Sequence, residues 1–269
     1  VDPLRKYFEA YTDVKDVVRK LAEAAAVEAL GEAKVKLASL VIDLATELIK
    51  RRKRKVAVLA DDVFQAIGLN EAASYVKALL GIIEYPPASY ERVVVVVATS
   101  EGVTRREIGR HRWAYLTPMW NLPKEGFKQL YDQVPGEKPP FEEVWRATGG
   151  NPKLLGELYE AGWDAGEVLA RLVDERKIDV FVGRLRQEER ALLRQAIDDP
   201  DSLITKEGIP LMEKLVDQNL IVDTIPRRDP RFWAGEPPPE RDPELGIGRR
   251  VAWQTPLHRE AVRRALESA

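Results

Sequence analysis

The stretch VAVLADDVFQ, residues 56–65, places two adjacent carboxylates, Asp61 and Asp62, directly after a run of small and apolar residues. An apolar strand that ends in an acidic residue can hold magnesium, generally through water, and a second carboxylate beside it can polarise an attacking water. The same residues also suit a turn or a helix N-cap, where aspartate is favoured. A second apolar strand candidate, RVVVVVATS at 92–100, ends in Thr99 and Ser100. These hydroxyls suit contact with a phosphate or a water, or plain capping of nearby backbone. A third candidate is TGGNPKLLGELY, 148–159, where Gly150 and Pro152 open a helix. Helix N-termini attract anions, and glycine lets backbone approach a ligand. An ordinary helix start explains it too.

These residues need elements to hold them. Val14, Val17, Val18, Leu21 and Ala25 recur at helical spacing, as do Leu40, Ile42, Leu44, Leu48 and Ile49. Two helices are therefore expected over 14–50, with the cations at 51–55 suiting the second one's C-terminus. A nucleic-acid patch is the other use of such a cluster. Val93–Val97 is a continuous β-branched run, which predicts a strand covered on both faces in a parallel sheet. With a helix over about 70–83 between the strands, this is a βαβ unit, and such sheets bind ligands at the carboxyl ends of their strands. Asp61, Asp62, Thr99 and Ser100 fall there.

Further along, 104–113 reads as a basic loop and short helix, and 122–134 as a helix with Pro123 near its start. Residues 141–185 carry two or three helices, broken at TGGNP and around GW. The last part reads as helix, helix (209–218), strand (219–225), a long Pro/Arg/Glu loop over 226–246, a return strand (249–256) and a final helix. That order predicts a winged helix-turn-helix, with its first turn near 198–207. Its candidate recognition helix carries Glu213, Lys214 and Asp217 and is not basic. The loop and its exit hold Arg227, Arg228, Arg249 and Arg250 as candidate DNA contacts, interleaved with acids. Phe232 and Trp233 serve either as an interaction tip or as packing. Trp113, Trp120, Trp145, Trp163 and Trp253 read as packing residues.

Composition narrows the classes. The 269 residues carry 42 Lys and Arg against 44 Asp and Glu, so no global charge drives nucleic-acid binding. The absence of cysteine excludes disulfides and Cys-ligated metal, and two histidines, His111 and His258, are too few for a His-rich zinc site. No apolar run is long enough to span a membrane and no secretory leader is visible, so we expect a cytoplasmic protein without a membrane partner. Charged residues at 32%, with two methionines, fit a heat-adapted protein.

In this order, VAVLADDVFQ, VVVVVATSEG and ATGGNPKLLGEL resemble the Walker B strand, the sensor 1 strand and the Gly-x-Pro lid motif of the archaeal ATPase family, in the STAND branch of AAA+-like P-loop NTPases. The resemblance implies ATP and Mg²⁺ as cofactors, bound between an α/β core and a helical lid. It implies Asp61 as the magnesium-linked carboxylate, Asp62 as the catalytic acid, and Thr99 or Ser100 as the sensor. Arg110 or Arg112 would be the phosphate-sensing arginine, and Gly150 and Pro152 would lie beside the nucleotide.

The expected layout is a P-loop NTPase-like parallel-sheet core over 1–117, a helical lid over 118–183 and the winged domain over 184–269. The phosphate-cradling pattern G-x-x-x-x-G-K-[ST] does not occur in these 269 residues. VDPLRKYF reads as the end of an earlier strand, so we expect an incomplete core in an N-terminally truncated form that binds ATP poorly as it stands. A descendant that has lost the cradle is the alternative. The expected role is a switch that relays nucleotide state through the winged helix to a protein partner. The competing expectation is a non-catalytic scaffold or DNA-binding module.

Overall fold

The computed structural model describes residues 32–51, 54–61, 63, 69–100, 115–223 and 225–268. The chain is mixed α/β and divides into two compact units, Val1–Leu116 and Thr117–Ala269. Among the described residues no helix is long and apolar enough to cross a membrane.

In the first unit, α1 (Glu32–Lys50) precedes β1 (Lys55–Asp61), α2 (Leu69–Glu84) and β2 (Arg92–Ala98). The strands pair in parallel, from Lys55 opposite Arg92 to Asp61 opposite Ala98. The helices bury stripes at helical spacing: Ala45 and Ile49 from α1, and Tyr75, Val76, Leu79 and Ile82 from α2. These stripes meet Val56 and Val58 of β1 and the half-buried Val93, Val95 and Val97 of β2.

The pleat sends alternate residues to the other side. There Leu59 is 76% exposed, Val96 51% and Val94 42%. The unbroken valine run predicts cover on both faces. Among the described residues the helices cover one face, and the apolar residues of the other face water. A continuous β-branched run thus reports strand propensity here, and cover is set by where the helices lie.

The second unit holds α3 (Lys124–Gln133), α4 (Phe141–Thr148), α5 (Pro152–Glu160), α6 (Ala165–Arg176), α7 (Ile178–Gly183), α8 (Gln187–Asp198), α9 (Ile209–Asp217) and α10 (Pro256–Glu267). Short 3₁₀ turns occupy Pro200–Leu203 and Pro230–Phe232, and β3 (Ile221–Val222) pairs antiparallel with β4 (Ala252–Trp253). A single cluster of buried side chains runs from Phe127 to Leu266 through all eight helices. Its C-terminal contribution is one face of α10, with Leu257, Ala261, Val262, Ala265 and Leu266 buried. Trp253 is fully enclosed, and its indole N–H donates to the Ala196 carbonyl at 3.0 Å.

Residues 141–185 contain four helices where two or three were expected. The unforeseen break is Lys177, whose left-handed φ of 50° ends α6 and starts α7. The two expected strands of the last part shrink to two residues each. Just before β4 the chain gives its amides elsewhere: Arg249, Arg250 and Val251 all donate to the Asp201 carboxylate, at 2.7, 2.9 and 2.9 Å.

Candidate functional site

Asp61 is the last residue of β1 and is exposed. Because it lies opposite Ala98, the residues that follow β2, half-buried Thr99 and exposed Ser100, leave the sheet at the same carboxyl edge as Asp61. Parallel pairing is what brings these three together: two strands running the same way deliver their exits to one side. Asp62, Arg110 and Arg112 lie outside the described residues. Among the described residues no group of three or more His, Asp or Glu is arranged to hold a metal. Magnesium keeps most of its water and needs one or two carboxylates from the protein, so the hard oxygen donors at this edge suit it.

Gly150 and Pro152 lie in the second unit, in the turn between α4 and α5. Gly149 and Gly150 both have left-handed backbones, with φ of 59° and 82°. Packing alone demands glycine at both positions. A Cβ on Gly149 would lie 2.8 Å from the Pro256 ring. One on Gly150 would lie 2.2 Å from the Leu122 carbonyl oxygen. Gly150 is buried, and Pro152 is exposed at the first position of α5. Between them Asn151 caps the helix, its Oδ1 accepting from the Leu154 amide at 3.1 Å.

The turn extends through amides that sequence reasoning missed. Asn151 Nδ2 donates to Asn121 Oδ1 at 3.0 Å, and Asn121 Nδ2 donates to the Gln254 carbonyl at 3.1 Å. Gln254 Nε2 in turn donates to Asn219 Oδ1 at 3.1 Å. All four residues are half-buried. Their spacing in sequence carries no signal, since partners stand up to 133 positions apart.

The four arginines proposed for DNA differ in their surroundings. Arg227, Arg249 and Arg250 are exposed. The Arg228 guanidinium donates inward to the carbonyls of Pro226, Pro239, Glu240, Gly248 and Arg249. Burial lowers its pKa from the ordinary arginine value, with Glu240 and Asp201 opposing. Its donors are thus engaged within the chain, which competes with any phosphate.

At the loop tip Trp233 folds back and donates its indole N–H to the Arg227 carbonyl at 2.8 Å, while Phe232 stays half exposed. On α9, Lys214 donates to Glu189 Oε1 at 2.6 Å. That bond, followed by the one from the Arg186 amide, holds Glu189 down at about 2. The remaining charges of this helix, Glu213 and Asp217, are acidic, so its surface has little to offer base edges or phosphates.

Residues 1–158 match a family model described as an ATPase domain predominantly from Archaea. The match covers more than half of the chain and ends inside α5, past the Gly150–Pro152 turn. No curated protein and no solved structure matches the chain.

Proposed function

The chain belongs to this family of archaeal ATPase domains, and on that premise we propose that it is a nucleotide-dependent switch of the STAND type. Membership brings nucleotide binding with it. The finer assignment rests on one observation, the register that puts Asp61 opposite Ala98 and so brings Asp61, Thr99 and Ser100 to one edge of a parallel pair. Open α/β sheets bind their ligands at that edge.

In this reading Asp61 would hold Mg²⁺, and Asp62 would orient and deprotonate the attacking water. Thr99 or Ser100 senses the γ-phosphate, and Arg110 or Arg112 meets its charge. Gly150 and Pro152 are the candidate nucleotide contacts of the second unit. Magnesium, when bound, neutralises the phosphate oxygens. The C-terminal order α8, 3₁₀ turn, α9, β3, long loop, β4, α10 supports a winged helix-turn-helix. We assign it to relaying nucleotide state to a protein partner, because α9 is acidic and Arg228 is engaged inside the loop.

The test is made on the protein isolated from its source cells. Asp62→Asn is expected to abolish ATP turnover while sparing ATP binding, and Asp61→Asn to weaken Mg²⁺-dependent binding. Unchanged hydrolysis in Asp62→Asn overturns its catalytic role.

A second reading has its own support. Gly149 and Gly150 have packing reasons to be glycine, and Arg227, Arg249 and Arg250 are exposed. These fit a non-catalytic scaffold derived from an NTPase, or a DNA-associated module using those three arginines. Titration with duplex DNA at several salt concentrations separates these two forms. Affinity that falls steeply with salt favours the DNA form, and no salt-dependent binding removes it.

A further inference from the structure

The amides at the Gly150–Pro152 turn do more than cap a helix. Serine, threonine or aspartate at position 151 would cap α5 equally well through an oxygen. Asparagine alone among the good caps also offers an N–H₂, and here it points at Asn121. Asn121 accepts from Asn151 with Oδ1 and donates to the Gln254 carbonyl with Nδ2. Gln254 holds the far end twice. Its side chain donates to Asn219 Oδ1 at 3.1 Å, and its backbone amide donates to the Leu220 carbonyl at 2.9 Å. Asn219, at a left-handed φ of 54°, is the residue that turns the chain out of α9 and into β3.

We propose that Asn151, Asn121, Gln254 and Asn219 form a directional amide relay that couples the Gly150–Asn151–Pro152 turn to the α9–β3 corner, with Asn121 as its central positioning residue. The regulatory meaning of the relay rests on the nucleotide reading of that turn. Its physical basis is the polarity of the Asn121 side chain. In the observed orientation both ends are matched. Reversed, its N–H₂ faces the Asn151 N–H₂ and its oxygen faces the Gln254 carbonyl, so both contacts turn repulsive. The amide therefore has two discrete orientations, and whichever group Asn151 presents selects between them. A movement of the turn that withdraws the Asn151 donor releases Asn121, and the Gln254 carbonyl loses its partner. In a half-buried polar network of this kind each hydrogen bond strengthens its neighbours.

Isosteric substitutions cut the relay one link at a time. Asn151→Asp keeps the capping oxygen of α5 but has no donor for Asn121. Asn121 is then driven to turn its N–H₂ toward the new carboxylate, which breaks its bond to Gln254. The experiment is hydrogen exchange on the full chain without nucleotide, for wild type, Asn151→Asp, Asn121→Ala and the double variant.

The expected result for Asn151→Asp is retained protection within α5 and exchange raised about threefold to tenfold at the Gln254 amide, the loss of roughly one net hydrogen bond. In the Asn121→Ala background, Asn151→Asp is expected to cause no further change at Gln254. A response confined to residues 148–155 overturns the relay. So does an undiminished response at Gln254 in the Asn121→Ala background. Repeating the exchange with MgATP on the protein isolated from its source cells tests the nucleotide reading separately. Unchanged protection at both Gly150 and Gln254 counts against that reading, while the nucleotide-free result still decides the relay.

Discussion

Leu122 and Gly150 approach so closely that no side chain fits between them. The Leu122 amide donates to the Gly150 carbonyl at 3.0 Å, and the Leu122 oxygen occupies the place a Cβ on Gly150 would take. Gly150→Ala must therefore move backbone as well as hold a left-handed residue. We expect a loss of about 2–4 kcal/mol in urea unfolding. The loss is expected to be larger with MgATP than without, because the variant also gives up part of the stabilisation a bound nucleotide supplies. Wild-type stability without nucleotide would show that the Leu122 oxygen is not what demands glycine here.

Thr255 and His258 set a pH limit. The Thr255 hydroxyl accepts from the His258 amide at 3.3 Å and shares a 2.8 Å hydrogen bond with His258 Nδ1. Burial, with the positive charges of Arg176 and Lys153, pushes His258 down to about 3. The unfolded chain takes up this proton below about 6.5 and the folded chain does not, so stability is full above that pH. It then falls as pH drops toward 3, approaching a tenfold loss in the folding constant per pH unit. His258→Leu is expected to flatten the stability profile between roughly pH 6.5 and 5. A profile that still falls with the wild-type slope places the titration elsewhere.

Glu189 acts at lower pH. Its carboxylate is buried under Lys214 and the Arg186 amide, with a pKa lowered from 4.5 to about 2. A depressed carboxylate stabilises above its unfolded value and loses that contribution as pH falls through the folded one. Glu189→Gln is expected to cost about 1–3 kcal/mol at neutral pH, the range for a charge-assisted hydrogen bond. The gap to wild type is expected to narrow steadily below about pH 4.5 and to close near pH 2. Chemical denaturation at pH 7, 4 and 2.5 measures it.

Asp201 joins segments that are 48 to 50 positions apart, through the amides of Arg249, Arg250 and Val251. Asp201→Ala strands three donors at once, of which Val251 is buried. We expect a loss of about 2–4 kcal/mol, with Asp201→Asn falling between the two because one acceptor oxygen remains. Equal stability of all three proteins would mean that water replaces the carboxylate.

The elements that periodicity and β-branching can reveal were legible. Both strands and the helix between them followed from the apolar runs, and their parallel pairing brought Asp61 to the edge shared with Thr99 and Ser100. Among the described residues the second face of the sheet lacks the cover that the valine run predicts, because Val93–Val97 looks alike on both sides and the positions of α1 and α2 tell them apart. The strands at 221–222 and 252–253 were overestimated for a different reason. A carboxylate in a distant 3₁₀ turn took the amides that a longer ladder needs. The TGGNP turn was legible as a turn, but its purpose was not, because the atoms that forbid a Cβ belong to Leu122 and Pro256. Asn121 gave no local signal at all. Its meaning lies in which amide end each neighbour meets.

The loop over 226–246, with its arginines and prolines, has the composition of a segment that trypsin cuts first. It is instead a small packed body. Arg228 reaches five carbonyls, and the Ala234 amide donates to the Pro118 carbonyl at 2.9 Å. Trp233, Leu245 and Ile247 bury themselves with Ile225 and Ala252. Cleavage after Arg227 or Arg231 must then wait for the loop to open, so the rate of digestion becomes a gauge of how firmly one guanidinium holds it. Arg228→Lys keeps the charge but surrenders the planar fork of donors, and it turns a resistant loop into an early cut site.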